Sequence, residues 1–319
     1  MFKVLIVGCG NIAGGYEDGR SKHEPSLTHA AAISKRNDIE IIACIDPDID
    51  LAREFAERWQ VGSFYSDTDQ LKPLKADVVC ICSPTASHYE NILTSFRFQP
   101  SVIFCEKPIT DSYAKSQEIV EACRVKGIQL VANYSRHWDQ VLAELVAEIN
   151  EGMFGRIYNV IAHYNRGILN NGSHMLEIIL RLFPELTIRD VRPTVNNSLA
   201  NDIDCDVSLI SKEGISVNLH CIDSTVYNIF ELRFFTEKGE IMMRDGGQKW
   251  SIRSPVSNSL FNGFMCLGNE EYRNGGYASV MDAAWSDIVN LIQGAEENLN
   301  YMSRILQVQQ LCEAIKGKA

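Results

Sequence analysis

The sequence predicts an α/β part followed by an α+β part: a doubly wound parallel sheet over residues 1–133, then an open, mostly antiparallel sheet with helices on one face over residues 134–319. Three observations carry this. Short β-branched runs alternate with helical stretches over the first third of the chain, at the spacing of strand–helix–strand units. The first such run, Val4-Leu5-Ile6-Val7, enters a glycine-rich turn directly. Beyond residue 150 the pattern changes to longer strands of alternating polarity, with Lys212-Glu213-Gly214 and Glu237-Lys238-Gly239 as turn signals.

In the first part, runs at 2–7, 40–45, 63–65, 77–82, 102–105 and 129–132 read as strands. Helices are expected between them at 27–35, 49–58, 88–96 and 112–126, the last ended by Gly127. A helical stretch from about Trp138 to Asn150 opens the second part. Strands follow at 156–164, 187–195, 204–211, 215–223, 230–236 and 240–244, interrupted by a helix at 173–182. Two helices, 277–293 and 301–316, close the chain.

Composition narrows the function classes. With 45% hydrophobic and 22% charged residues, a chain of 319 residues can bury large cores without disulfides or structural metals. Thirty Lys+Arg against forty-one Asp+Glu give a net charge of −11, with no basic block, which argues against nucleic acid and anionic membranes as partners. The amino terminus lacks the features of a secretory signal, and the apolar runs are strand length, so a cytoplasmic protein is expected. Among ten cysteines, Cys44, Cys80, Cys82, Cys105 and Cys221 lie inside apolar runs and none forms a Cys-x-x-Cys pair, which predicts reduced thiols. His163 and His220 lie in strands and no histidine pair shows ligand spacing, so no metal is expected.

Gly8-Cys9-Gly10-Asn11-Ile12-Ala13 is a G-x-G-x-x-A placed where a first strand ends. Gly8 permits the tight turn, Gly10 lets the backbone approach a pyrophosphate, and Ala13 keeps the following helix, whose free N–H groups face the anion, close to the strand. That is the dinucleotide-binding arrangement of a Rossmann fold. Asp46, at the end of the second strand, is placed to accept from the adenosine ribose hydroxyls, with a helix-capping role as the alternative. It lies 36 residues beyond Gly10, and the polar segment 16–26 accounts for the excess as an inserted loop, either a lid or a solvated excursion. Asp46 and Asp48 place negative charge where a 2′-phosphate would sit, and no basic residue follows before Arg53, so NAD is favoured over NADP.

Together with that loop, Ser83-Pro84-Thr85 followed by His88, and Glu106-Lys107-Pro108 after the fifth strand, resemble the Gfo/Idh/MocA family of nicotinamide-dependent oxidoreductases. The resemblance implies action on sugars, polyols or nucleotide sugars, a terminal helix returning to the first part, and a dimer or tetramer built on the antiparallel sheet. It also implies cofactor contacts from Gly8, Gly10, Asn11, Ile12, Asp46, Ser83, Pro84, His88, Glu106 and Lys107. Lys107 becomes a catalytic lysine at the substrate hydroxyl, typically in a cis Lys-Pro peptide. An ammonium there stabilises developing alkoxide. The family's Asp-x-x-x-His element aligns with Asn170 and His174, so the histidine is kept and the aspartate is not. Asn170 can hydrogen-bond but cannot take a proton, which leaves His174 as the acid/base. Arg136 resembles an arginine near the family's pocket, and Tyr164 and Arg166 precede the Asn170 loop; with Asn170 and His174 they are the candidate substrate contacts. Alternating residues Leu219, Cys221, Leu232 and Phe234 are expected to form an apolar outer face for subunit contact. The replaced aspartate keeps a second reading open, a non-catalytic protein of this fold that binds dinucleotide and a sugar-like ligand.

Overall fold

The computed structural model describes all residues except Lys22, Lys72, Pro73, 195–198, Ala200, Asn201 and 296–298. The described chain divides into two compact units, one of Met1–Trp138 with Ala278–Leu306, the other of Asp139–Tyr277 with Gln307–Ala319.

In the first unit the strands are β1 (Phe2–Val7), β2 (Ile39–Ile45), β3 (Phe64–Tyr65), β4 (Val78–Ile81), β5 (Val102–Glu106) and β6 (Gln129–Asn133). They form one parallel sheet in the order β3-β2-β1-β4-β5-β6, so the chain reverses direction across the sheet between β1 and β4. Ligands in such sheets bind at that crevice, beyond the carboxyl ends of the strands. The helices are α1 (His29–Ser34), α2 (Ile49–Trp59), α3 (His88–Ser95) and α4 (Tyr113–Lys126). Because helices cover both faces, the central strands are apolar throughout: Val78–Ile81 is buried at every position. Asp48 caps α2 by accepting from the N–H groups of Asp50 and Leu51, and Gly127 ends α4 in the left-handed region at φ 68°.

The sequence expectation of a helix directly after the glycine loop needs correction. Residues 11–14 form turns and Gly15–Glu17 a single 3₁₀ turn, while α1 begins only at His29. Hydrogen bonds explain why the architecture survives. The N–H groups of His29 and Ala30 bond to the carbonyls of Ile12 and Ala13, at 3.2 and 2.9 Å, so α1 takes the acceptors that a continuous helix would have used. The insertion is thus spliced into the first turn of the helix. Glu17 closes its base, accepting from the N–H groups of Leu27 and Thr28 at 2.6 and 3.1 Å, and pairs with Arg20 at 3.3 Å.

The second unit begins with α5 (Gln140–Asn150). Its large sheet comprises β7 (Ile157–Tyr164), β8 (Leu186–Pro193), β9 (Cys205–Ser211), β10 (Ser216–Cys221), β11 (Glu231–Thr236), β12 (Gly239–Arg244), β13 (Lys249–Arg253) and, at one edge, Glu271–Asn274. Before that edge strand, β14 (Pro255–Ser257) and β15 (Met265–Leu267) pair as a separate hairpin, and the edge strand is β16. The order is β16-β13-β12-β11-β7-β10-β9-β8, antiparallel except for the parallel β7–β10 pair. Helix α6 (Ser173–Leu180) follows β7 through a π-helical stretch, Gly167–Gly172. Two helices finish the chain, α7 (Val280–Ile292) and α8 (Leu299–Lys316), and the division between units falls inside α8. No described helix is long and apolar enough to cross a membrane.

Three expectations are revised here. No strand is expected from the sequence between residues 245 and 276, where β13 to β16 lie, and the expected strand 187–195 ends at Pro193, Val195 lying outside the described residues. Leu219, Leu232 and Phe234 are buried in the core instead of forming an outer face, and Cys221 is half-buried. The opposite face of the sheet carries Asn159, Ile161, His163, Asp206, Ser208, Asn218, His220, Glu231, Arg233 and Phe235, all half-exposed. All ten cysteines are free thiols.

The splice makes a prediction. Glu17→Ala removes the acceptor that holds the insertion's base, so trypsin should cut after Arg20 at least severalfold faster, with the midpoint of thermal unfolding changed by only a few degrees. Unchanged cleavage kinetics would contradict the role of Glu17.

Candidate active site

The first unit gathers four loops at the carboxyl ends of its strands. Gly8 sits at φ 93°, and a Cβ there would lie 2.4 Å from the backbone nitrogen of Ser83, so both conformation and contact require glycine. Loop 8–13 therefore lies directly on the loop after β4. Asp46 joins the same cluster from β2: one carboxylate oxygen accepts from the N–H of Cys9 at 2.8 Å and the other from the N–H of Asp48 at 3.0 Å. The capping role belongs to Asp48, not Asp46. Each Asp46 oxygen keeps further acceptor capacity. A Cβ at Gly10 would meet nothing within 4 Å, so this backbone faces open space, as an approaching pyrophosphate requires. Asn11 is exposed and Ile12 half-exposed on the same turn.

His88, fully buried at the start of α3, ties the remaining two loops together. Its Nε2 lies 2.7 Å from the Ser83 carbonyl and its Nδ1 2.9 Å from the Pro108 carbonyl. The Ser83 hydroxyl accepts from Asn91 at 2.8 Å, and Pro84 is exposed beside it. His88 is thus a clasp between loops, and a direct cofactor contact through its ring is not what the geometry provides. Lys107, half-buried, precedes Pro108 across a cis peptide bond.

Glu106 is held from inside the unit. His29 Nε2 donates to its Oε1 at 3.0 Å and Asn133 Nδ2 donates to the same oxygen at 2.6 Å. The indole of Trp285 donates to His29 Nδ1 at 3.2 Å, and since an indole N–H only donates, the proton of His29 is fixed on Nε2, facing Glu106. Burial opposes charge on Glu106, yet the bonds from His29 and Asn133 and the nearby Lys107 outweigh it and hold the carboxyl below its usual range. His29 and Trp285 are residues whose part in this network the sequence reading missed; a histidine within an apolar helix was the available signal. Helix α7 supplies Trp285, and Trp138 donates to its Asp287 at 3.2 Å. Arg136 is buried in the 3₁₀ turn just before Trp138.

In the second unit, Asn170 and His174 are one turn apart, at the passage from the π-helical stretch into α6. Carboxylates that sequence reasoning did not single out hold this segment. Asp202 accepts from the N–H groups of Leu169 and Asn170 at 2.9 and 2.8 Å, and buried Asp204 accepts from the N–H of Gly167 at 2.6 Å. The first-turn amides, which have no helical partners, are thereby satisfied. A Cβ on Gly167 would lie 1.9 Å from an Asp202 oxygen. Arg166 is exposed in the left-handed region at φ 62°. Tyr164 does not meet the expectation of a substrate contact. It is fully buried, with its hydroxyl donated to the Cys205 carbonyl at 2.6 Å, and burial pushes its phenol far up.

A glycine loop pressed against β4 and an aspartate ending β2, at the strand-order reversal of a parallel sheet, are the features of a Rossmann fold. Residues 2–134 match the model of the Gfo/Idh/MocA oxidoreductase family, described as an NAD-binding Rossmann fold. The chain is 28% identical over 157 residues to D-glucoside 3-dehydrogenase of Escherichia coli, covering 49% of this chain and 41% of that protein. To myo-inositol 2-dehydrogenase of Thermotoga maritima it is 26% identical over 129 residues, covering 40% and 38%. The chain thus aligns with about two fifths of the length of these relatives. Among solved structures, a 3-ketoreductase from Actinomadura kijaniata in complex with NADP and TDP-benzene superposes with a TM-score of 0.80, at 15% identity, over 100% of this chain and 98% of that one. An oxidoreductase from Agrobacterium radiobacter in complex with NAD+, L-tartaric acid and magnesium gives 0.76 at 15% identity, over 100% and 96%.

The depressed carboxyl makes a prediction with a definite sign. Its contribution to stability is present above the ordinary carboxylate range and is lost as pH falls through the lower native value. Glu106→Gln should lower stability at pH 7 by about 1.5–3 kcal/mol, as for a buried hydrogen bond to a charged group. The deficit in urea unfolding should shrink as pH falls below 4; a deficit that stays constant with pH would refute the assignment.

Proposed function

We propose that the protein is an NAD-dependent oxidoreductase that transfers a hydride between the nicotinamide and a carbinol or carbonyl of a sugar, sugar derivative or nucleotide sugar. The observation that carries this reading is the junction of the Gly8, Asp46, Ser83 and Lys107 loops at the strand-order reversal. In it, Gly8, Gly10, Asn11 and Ile12 would hold the pyrophosphate, and the remaining capacity of Asp46 would take ribose hydroxyls. Ser83, Pro84, Glu106 and Lys107 would line the nicotinamide side. When bound, the nicotinamide donates or accepts the hydride. In the proposed assignment Lys107 places its ammonium at the substrate oxygen, where it stabilises the alkoxide, and His174 takes or returns the hydroxyl proton. Asn170 orients by hydrogen bonding alone, so a single imidazole carries the proton transfer. The domain assignment that goes with this reading is a cofactor domain, 1–133, and a substrate and assembly domain, 134–319.

Arg136 and Arg166 give the reading its leaning towards anionic sugars, since a guanidinium fork suits phosphate or carboxylate. That a fold neighbour was captured with TDP-benzene supports nucleotide sugars as members of the test panel. Asn170 favours a second reading, a dinucleotide- and sugar-binding regulatory protein. Lys107 and His174 together weigh against it. A homo-oligomer, dimer or tetramer, is part of the proposal; the β14–β15 hairpin exposes Leu260, Phe261, Phe264 and Met265, an apolar group of the kind that association covers. A monomer by sedimentation at micromolar concentration would contradict it.

Two further outcomes are expected. Lys107→Ala should lower kcat/KM by about a hundredfold or more, as for loss of a transition-state charge, while NADH affinity by fluorescence changes less than threefold; retained turnover would sink the role. NADH should bind at least tenfold more tightly than NADPH, and Asp46→Ser should narrow the ratio. Equal affinities in the wild type would overturn the preference.

A further inference from the structure

A row of four ionisable side chains crosses the outer face of the large sheet, away from the residues assigned above. Glu231 on β11 pairs in register with His163 on β7, and His163 with His220 on β10. Beyond His220, β9 presents Asp206, whose Oδ2 lies 3.6 Å from His220 Nδ1. Strand order β11-β7-β10-β9 therefore sets out carboxylate, imidazole, imidazole, carboxylate side by side. Neighbouring strands stand about 4.8 Å apart, so the two rings project in parallel from adjacent positions on one face. Their centroids are 5.8 Å apart with planes inclined by 33°.

Two nitrogens on one tetrahedral ion with bonds of about 2.1 Å stand roughly 3.4 Å apart, which side-chain rotation of two such neighbours can supply. The flanking carboxylates suit this use. Asp206 is anchored by the Cys221 N–H on Oδ1 at 2.8 Å, with Oδ2 on the side of His220 Nδ1, which leaves the distal Nε2 of His220 for a ligand. A carboxylate behind a ligating imidazole is a recurrent device for fixing its tautomer. Glu231 stands in the equivalent place behind His163. Arg233, the next outward residue on β11, is turned to Glu240 at 3.1 Å, a carboxylate that it shares with Arg253. Nearly half of the His220 and Asp206 side chains is exposed, which gives an ion a way in.

We propose that His163 and His220 chelate one divalent transition-metal ion, with Zn²⁺ as the first probe, while Glu231 and Asp206 steady the two rings. The ion would join β7 to β10, the parallel pair within an otherwise antiparallel sheet. Among the described residues, His29, Cys80 and Cys82 form the cluster whose ligand atoms approach most like a preformed site. That trio is sealed in the core, and both His29 nitrogens are engaged by Trp285 and Glu106, so it is not the candidate.

The test is calorimetric titration of Zn²⁺ into the full chain, free of any histidine tag and in a Cys266→Ser background that removes an exposed thiol. One ion per chain at micromolar affinity is expected, with His163→Ala and His220→Ala each weakening it at least tenfold. Asp206→Asn and Glu231→Gln should weaken it severalfold. Zn²⁺ should raise the unfolding midpoint of the wild type and not of the histidine variants, because only a native-state site couples to folding in this way. His163→Gln and His220→Gln serve if an alanine variant misfolds by circular dichroism. Absence of binding at micromolar metal, or binding unchanged in the histidine variants, would overturn the proposal.

Discussion

The packing of the Gly8 backbone against Ser83 governs the first unit. No side chain fits between them, since even a Cβ would come within 2.4 Å of the Ser83 nitrogen, so β1 and β4 end in direct contact. That contact fixes the height at which the glycine loop leaves the sheet. Asp46 then reaches the N–H of Cys9, and the Ser83 carbonyl stands where His88 can span from it to Pro108. Four loops from strands that are far apart in the chain thereby share one position. The candidate cofactor site is a consequence of backbone proximity, and its side chains are mostly clasps.

The same unit shows how an insertion can enter the helix that follows the glycine loop without disrupting it. Helix hydrogen bonds need acceptors at the right distance, not an unbroken chain, and His29 and Ala30 find theirs on Ile12 and Ala13. Once His29 is placed at that splice, its ring lies between Trp285 and Glu106. The inserted segment, the buried histidine and the residue preceding the candidate catalytic lysine are mechanically connected. Asp202 plays the corresponding part in the second unit, satisfying the amides of the turn that carries Asn170.

Much of this was legible in the sequence because the physics is local. Runs such as Val78–Ile81 are apolar at every position, which marks a strand covered on both faces, and the glycine loop sits where its backbone conformation demands it. What escaped is non-local. Alternation in β10 and β11 separates two faces but does not say which one meets the core, so Leu219, Leu232 and Phe234 were turned the wrong way. The β14–β15 hairpin keeps its apolar side chains exposed, which removes the amphipathic signal. Tyr164 stands next to candidate site positions in sequence, yet strand alternation points it inward. Asp202 caps a turn more than thirty residues away, and nothing in its own neighbourhood announces that.

The central claim is that this chain moves a hydride to or from a sugar-type carbinol. The most direct measurement is transfer of deuterium from C4-deuterated NADH, with the protein present, to a panel of keto-sugars, keto-inositols and keto-nucleotide sugars, read by mass spectrometry of the alcohol product. The account predicts one deuterium on a carbinol carbon for at least one class in the panel, dependent on Lys107. Tight NADH binding with no label transferred to any of them would contradict it and favour the regulatory reading.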